Sequence, residues 1–152
     1  MCDNIRSSEN IGSIFRTSDA IAADKVFLCG ISGTPAFTAG RPPSEKIAKT
    51  ALGAEKNVPW EYYSQTWRLI EKLKKEGVFI VCLEQTGESL SYEKFSPRSP
   101  LALVLGNEVK GVSGSVLERA DAVVHVPMYG QKESLNVAVA VGIALYHVRC
   151  RN

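Results

Sequence analysis

Four short apolar runs punctuate the chain: "VFLCGI" at 26–31, "VFIVCLE" at 78–84, "LALVLG" at 101–106 and "AVVHVP" at 122–127. They are rich in β-branched residues, polar positions do not alternate with them, and Gly, Pro or charge bounds each one. Unbroken runs of this length suit strands buried on both faces, as in a parallel sheet. Between them the apolar spacing becomes helical, at 10–23, 44–52, 64–77 and 113–120. In the third of these, Trp67, Ile70 and Leu73 recur at helical spacing. Ser64 is the expected N-cap, lysines gather in the last turn, and Gly77 ends the helix. Strand–helix alternation predicts an α/β fold around a parallel sheet.

The last helix is apolar at Leu135, Val137, Val139, Val141, Ile143 and Leu145. So many β-branched residues form a helix through burial rather than propensity. Its apolar positions cover more than one face, which calls for cover from the sheet on one side and from a second copy of the chain on the other. The stretch "GISGTPAFTAGRPPSE" at 30–45 is too rich in Gly and Pro for either kind of element and reads as a loop. Neither a linker nor a repeat interrupts the chain, so residues 1–152 are expected to form a single domain.

Composition narrows the function classes. The 152 residues are 45% hydrophobic and 22% charged, an ordinary globular balance. A net charge of +2 excludes tail-driven nucleic-acid binding, so any RNA contact must come from a local basic patch. The four cysteines form no C-x-x-C pair; Cys29 and Cys82 fall in strand-like runs and read as reduced core thiols. His125 and His147 have no cysteine at ligand spacing, so no metal is expected. With neither a signal peptide nor a membrane-length apolar run, the expectation is a cytoplasmic protein without membrane contact.

Ligands of open α/β sheets bind at the carboxyl ends of the strands. Three polar segments fall there: 3–20 after a very short opening strand, 105–113 after "LALV", and 126–136 after "VVHV". Each has an ordinary structural reading. Asn10 could be a helix cap and Arg16 a solvated helix residue; Gly106 and Gly111 could be turn glycines, Glu108 and Lys110 a solvated pair, and Ser134 a cap. No G-x-G-x-x-G follows a strand, and neither a phosphate-binding G-x-x-x-x-G-K-[ST] nor a G-x-S-x-G elbow occurs.

Taken together, "NIGSIFRT" (10–17), "LVLGNEVKGVS" (103–113) and "VPMYGQKESLNVAVA" (126–140) resemble the three ordered signature elements of the SpoU/TrmH family of RNA 2′-O-ribose methyltransferases, in the SPOUT superfamily. Val126, where isoleucine is usual, is the one departure. The resemblance spans nearly the whole chain. It implies a Rossmann-like parallel sheet whose C-terminal segment threads a loop to make a deep trefoil knot, against the general rarity of knots. It implies S-adenosyl-L-methionine as cofactor, held by Gly106, Val126 and Leu135, with Leu105 and Met128 beside them. The polar turn at 130–136 is then a pocket wall.

The resemblance further implies tRNA or rRNA as substrate, and catalysis by Arg16 with Asn10, Glu108, Ser134 and Asn136. The apolar last helix and the small RNA footprint of one chain predict a homodimer through the first and last helices. A guanidinium stays protonated, so Arg16 suits a clamp on phosphate and developing alkoxide better than a base. A phosphate oxygen or Glu108 would take the proton, while Asn10 and Asn136 would orient Arg16 and the ribose. A glycine at 106 would let backbone approach adenosine, so Gly106→Val is expected to block the cofactor at a folding cost of about 1–2 kcal/mol. The family's N-terminal RNA-binding domain and long C-terminal tail are expected to be missing. The alternatives are a knotted RNA-binding module without catalysis and a generic nucleotide-binding α/β protein.

Overall fold

The computed structural model describes residues 1–151. Its strands are β1 (Cys2–Asp3), β2 (Val26–Cys29), β3 (Trp60–Tyr63), β4 (Phe79–Leu83), β5 (Leu90–Ser91), β6 (Leu101–Leu105) and β7 (Ala122–His125). Its helices are α1 (Ser8–Ala20), α2 (Glu45–Ala51), α3 (Ala54–Asn57), α4 (Thr66–Lys75), α5 (Gly114–Leu117) and α6 (Val137–Arg151). The strands form one sheet in the order β3-β2-β1-β6-β4-β7-β5, and the described pairings are all parallel. At its centre β4 and β6 pair from Phe79↔Leu101 to Leu83↔Leu105.

Both faces of the sheet are covered, which explains the unbroken apolar runs. Val81 and Leu103 pack with Ile11, Ile14 and Phe15 of α1, Ile47 of α2 and Val141 of α6. Ile80, Cys82 and Val104, turned the other way by the two-residue strand period, pack with Leu69, Ile70 and Leu73 of α4 and Val116 of α5. Burial pushes the thiol of Cys2 up to about 11 and those of Cys29 and Cys82 up to about 12, so all three remain protonated core groups.

Several expectations are corrected. Asn10 does not cap α1: Ser7 does, its Oγ accepting the Asn10 N–H at 3.1 Å, which leaves Asn10 in the first turn. The N-cap of α4 is Gln65, not Ser64. Strand β3, "WEYY", is half-buried along its whole length, so its mixed aromatic and charged residues carry no buried-strand signal. Gly12 is explained by packing, since a Cβ there would lie 1.9 Å from Thr50 Oγ1 and 2.5 Å from the Ile47 carbonyl oxygen of α2.

Helix α6 is covered on one side only. Within the single chain just Val141 and Ala144 are buried, while Val139 and Tyr146 are 53% and 50% exposed. No helix among the described residues is long and apolar enough to cross a membrane.

Candidate active site

The three polar segments meet at the carboxyl ends of the strands, and hydrogen bonds between distant residues join them. Glu108 reaches from the loop after β6 to the start of α1. Its Oε2 accepts the Arg6 N–H at 2.9 Å, and its Oε1 accepts the Ser7 N–H at 2.9 Å and the Asn10 side-chain amide at 3.0 Å. Partial burial alone would raise its pKa. The N–H groups of Arg6, Asn10 and Ser7 outweigh that and hold the carboxyl below the usual carboxylate range. A protein carboxylate thus occupies the positive end of α1, where a helix favours an anion.

Asn10 turns its other side-chain atom to the third segment: its Oδ1 accepts from Asn136 Nδ2 at 3.1 Å. Asn136 Oδ1 in turn accepts the Ala138 N–H at 2.8 Å, the bond of an N-terminal cap for α6. The cap of the last helix is therefore Asn136 rather than Ser134. Both asparagine amides are oriented by these bonds.

The loop 106–113 is held from within and from behind. Asn107 Oδ1 accepts the N–H groups of Val109 and Lys110, both at 3.0 Å, and Asn107 Nδ2 donates to the Asn4 carbonyl at 2.8 Å. Asn107 and Gly111 exchange backbone hydrogen bonds at 3.0 and 2.8 Å. Glu84, just past β4, accepts the Val112 N–H at 2.8 Å. Asp3, 1% exposed, accepts both the N–H and the hydroxyl of Ser113, at 3.0 and 2.8 Å, and the Thr66 hydroxyl at 2.5 Å.

A cavity of about 470 Å³ opens between this loop and the segment after β7. Gly106, Val126, Met128 and Leu135, expected at the cofactor, line it, as do Glu108, Ser134 and Asn136. Leu105 does not: it is 2% exposed, its N–H bonded to the Met1 carbonyl, and it lies behind the wall. Gly106 lines the cavity for a different reason from the expected one. A Cβ there would lie 2.2 Å from both the Gly111 carbonyl carbon and Val112 N, so the glycine admits the loop's own backbone. The low folding cost expected for Gly106→Val is therefore overturned.

Arg16 stands apart. It is exposed, makes no hydrogen bond or ion pair among the described residues, and does not line the cavity. Helical geometry sets it about 120° around α1 from Asn10 and about 9 Å along the axis. Asn10 and Asn136 thus orient each other and Glu108, not the Arg16 of their own chain.

Sequence reasoning passed over Asp3, Asn107 and Glu84. Asn107 sits inside a quoted signature at a position read as a spacer, and Glu84 closes a buried strand at its ligand-binding end. A polar residue at such a strand end was the available signal for both Asp3 and Glu84.

The model of the SpoU rRNA Methylase family matches residues 1–146. The 23S rRNA (guanosine(2553)-2′-O)-methyltransferase RlmP of Bacillus subtilis is 35% identical over 150 residues, covering 98% of this chain and 56% of RlmP. The tRNA (guanosine(18)-2′-O)-methyltransferase of Aquifex aeolicus is 33% identical over 150 residues, covering 97% of this chain and 66% of that protein. The chain thus spans between about half and two thirds of the length of these curated relatives. Among solved structures, an AdoMet-bound rRNA methyltransferase from Sinorhizobium meliloti superposes with a TM-score of 0.87 at 29% identity, covering 98% of this chain and 54% of that one. The A. aeolicus TrmH/SpoU tRNA modifying enzyme gives 0.85 at 30% identity, covering 99% and 72%.

Proposed function

The chain belongs to the SpoU rRNA Methylase family, and we propose that it transfers a methyl group from S-adenosyl-L-methionine to a ribose 2′-hydroxyl of tRNA or rRNA. One observation carries this most directly: Asn10 bonds both Glu108 and Asn136, joining one residue from each signature segment beside the cavity. The relatives' names supply the reaction class, and the geometry of this chain supplies the residues.

The cavity fits such a cofactor. Its volume is in the range of small-molecule sites. Val126, Met128 and Leu135 offer apolar surface, while Ser134, Asn136 and the wall at Gly106 offer polar groups. Bound there, the cofactor supplies an electrophilic methyl carbon. The attacking hydroxyl must lose its proton, and Glu108 is poorly suited to take it. Both of its oxygens already accept N–H groups, and its pKa is lowered. We assign the proton to a substrate phosphate oxygen and give Glu108 a positioning role at the start of α1. The second proton on each asparagine amide is left to orient the ribose, and the exposed Ser134 hydroxyl lines the same cavity.

Arg16 clamps the phosphate and the developing alkoxide. Because it does not line the cavity of its own chain, we assign it to the cavity of a second copy. This goes with a homodimer in which the exposed face of α6, with Val139 and Tyr146, is covered. The same reading carries the trefoil knot, supported by the family resemblance, and the cytoplasmic location expected from the sequence. Sedimentation at micromolar concentration is expected to show a dimer, and a fully active monomer would remove the shared-site assignment.

The deciding assay is methyl transfer from labelled S-adenosyl-L-methionine to bulk tRNA and rRNA, scored by alkali-resistant linkages at the modified ribose. A chain that binds cofactor and RNA yet leaves no such linkage is the non-catalytic RNA-binding module instead.

A further inference from the structure

The cavity is lined by Glu84, Glu108 and Glu133 and, among the described residues, by no lysine or arginine. This runs against the chain's net charge of +2. The three carboxylates are not equivalent. Glu108 is turned to the start of α1, where three N–H donors and the positive end of the helix offset its charge. Glu133 is exposed, so solvent and salt screen it. Glu84 is half-buried, and the N–H groups of Val112 and Gln85 hold its two oxygens at 2.8 and 3.0 Å. Amide dipoles fix a carboxylate in place and bring no counter-charge. Glu84 makes no ion pair among the described residues.

Methyl transfer changes the charge of what occupies the cavity. The ribose 2′-oxygen bonds to the methyl carbon as the carbon–sulfur bond breaks. Sulfur keeps the electron pair of that bond and becomes a neutral thioether, and the ribose proton goes to the phosphate. The product in the cavity therefore carries one positive charge fewer than the donor. Resting on the cofactor assignment above, we propose that Glu84 makes this cavity select the cationic donor over its demethylated product, so that loss of the charge promotes product release. A fixed charge in a partly dehydrated cleft reaches several ångströms, whereas the shape of the two ligands differs by one methyl group.

Calorimetry on the full chain with S-adenosylmethionine, sinefungin and S-adenosylhomocysteine tests this without turnover. Sinefungin carries an ammonium in place of the sulfonium methyl. The two cationic ligands are expected to bind about tenfold or more tightly than the homocysteine at low salt. Between about 0.02 and 0.3 M salt the advantage should shrink. Glu84→Gln should cut it to about threefold or less by weakening the cationic ligands alone.

If Glu84→Gln weakens all three ligands equally, Glu84 only braces the loop and the proposal falls. Equal wild-type affinity for all three overturns it while leaving the cofactor assignment intact. Failure of all three to bind removes both. The salt titration needs no variant, so a ratio flat across salt counts against the proposal even if Glu84→Gln does not fold.

Discussion

The cavity has two loop walls, and they are held by different means. In the wall after β6, Asn107 satisfies two N–H groups and one carbonyl, Glu84 takes the Val112 N–H, and Asp3 takes Ser113. In the wall after β7, no hydrogen bond among the described residues ties Pro127 to Leu135, and Glu133 and Ser134 stand exposed. The first wall is complete before any ligand arrives. The second leaves its polar groups exposed, open to solvent or to a ligand. Glu108 and Asn10 thus depend on the bonded wall for their geometry and not on the unbonded one.

The largest effect should come from outside both walls. Arg16→Ala is expected to lower turnover by roughly 100-fold or more while cofactor affinity stays within about threefold. Single-turnover methylation beside calorimetry checks this, and unchanged turnover at saturating RNA would remove Arg16 from the chemistry.

Next comes the built wall. Asn107→Ala strands two amides and a carbonyl, so it should cost about 2–4 kcal/mol in urea unfolding and weaken cofactor binding in parallel. Gly106→Val should cost a similar amount, about 3 kcal/mol, because its Cβ meets backbone that cannot step aside. A Gly106→Val protein as stable as wild type would show that the loop is looser than its hydrogen bonds indicate.

Glu108 should show a smaller, pH-dependent effect. Its folded pKa lies below the ordinary 4.5, so its stabilisation is fully present above that value and is lost as pH falls through the lower folded value. Solvent screening limits the size to about 1 kcal/mol. The stability gap between wild type and Glu108→Gln should be level from about pH 6 to 8 and close below about pH 4. A gap that widens on acidification would contradict the bonding at α1.

The second wall should yield the smallest change. Tyr129→Ala, at a 90% exposed position, should shift stability by no more than about 0.5 kcal/mol. Trypsin should cut after Lys132 sooner than after Lys110, and S-adenosyl-L-methionine should slow the Lys132 cut selectively. Equal cutting at both lysines would erase the contrast between the walls.

The same contrast governs what could be read in advance. Strands β2, β4, β6 and β7 announced themselves because burial on both faces leaves no room for polar positions. Strand β3 did not, since a half-buried strand accepts Glu61 beside Trp60 and Tyr62. The two-residue β5 is too short for any period to register. The signature residues Gly106, Glu108, Ser134 and Asn136 were legible and do meet at one cavity. What stayed hidden was direction: composition cannot say that Glu108 faces the start of α1, or that Arg16 turns away from Asn10. Those depend on how α1 is rotated, which Gly12 against α2 helps to set.

The Asn10 side chain has a kinetic consequence. Its two partners lie 98 and 126 residues further along the chain. Closing loops of that span is entropically slow, and little is gained until both ends are in place. During synthesis, α1 emerges long before Asn136 exists, so its first turn waits with the Asn10 amide turned to water. The cluster can close only after the last helix has docked. Methyl transfer should therefore lag behind the recovery of helical signal on refolding, and its appearance would time the final step of chain assembly.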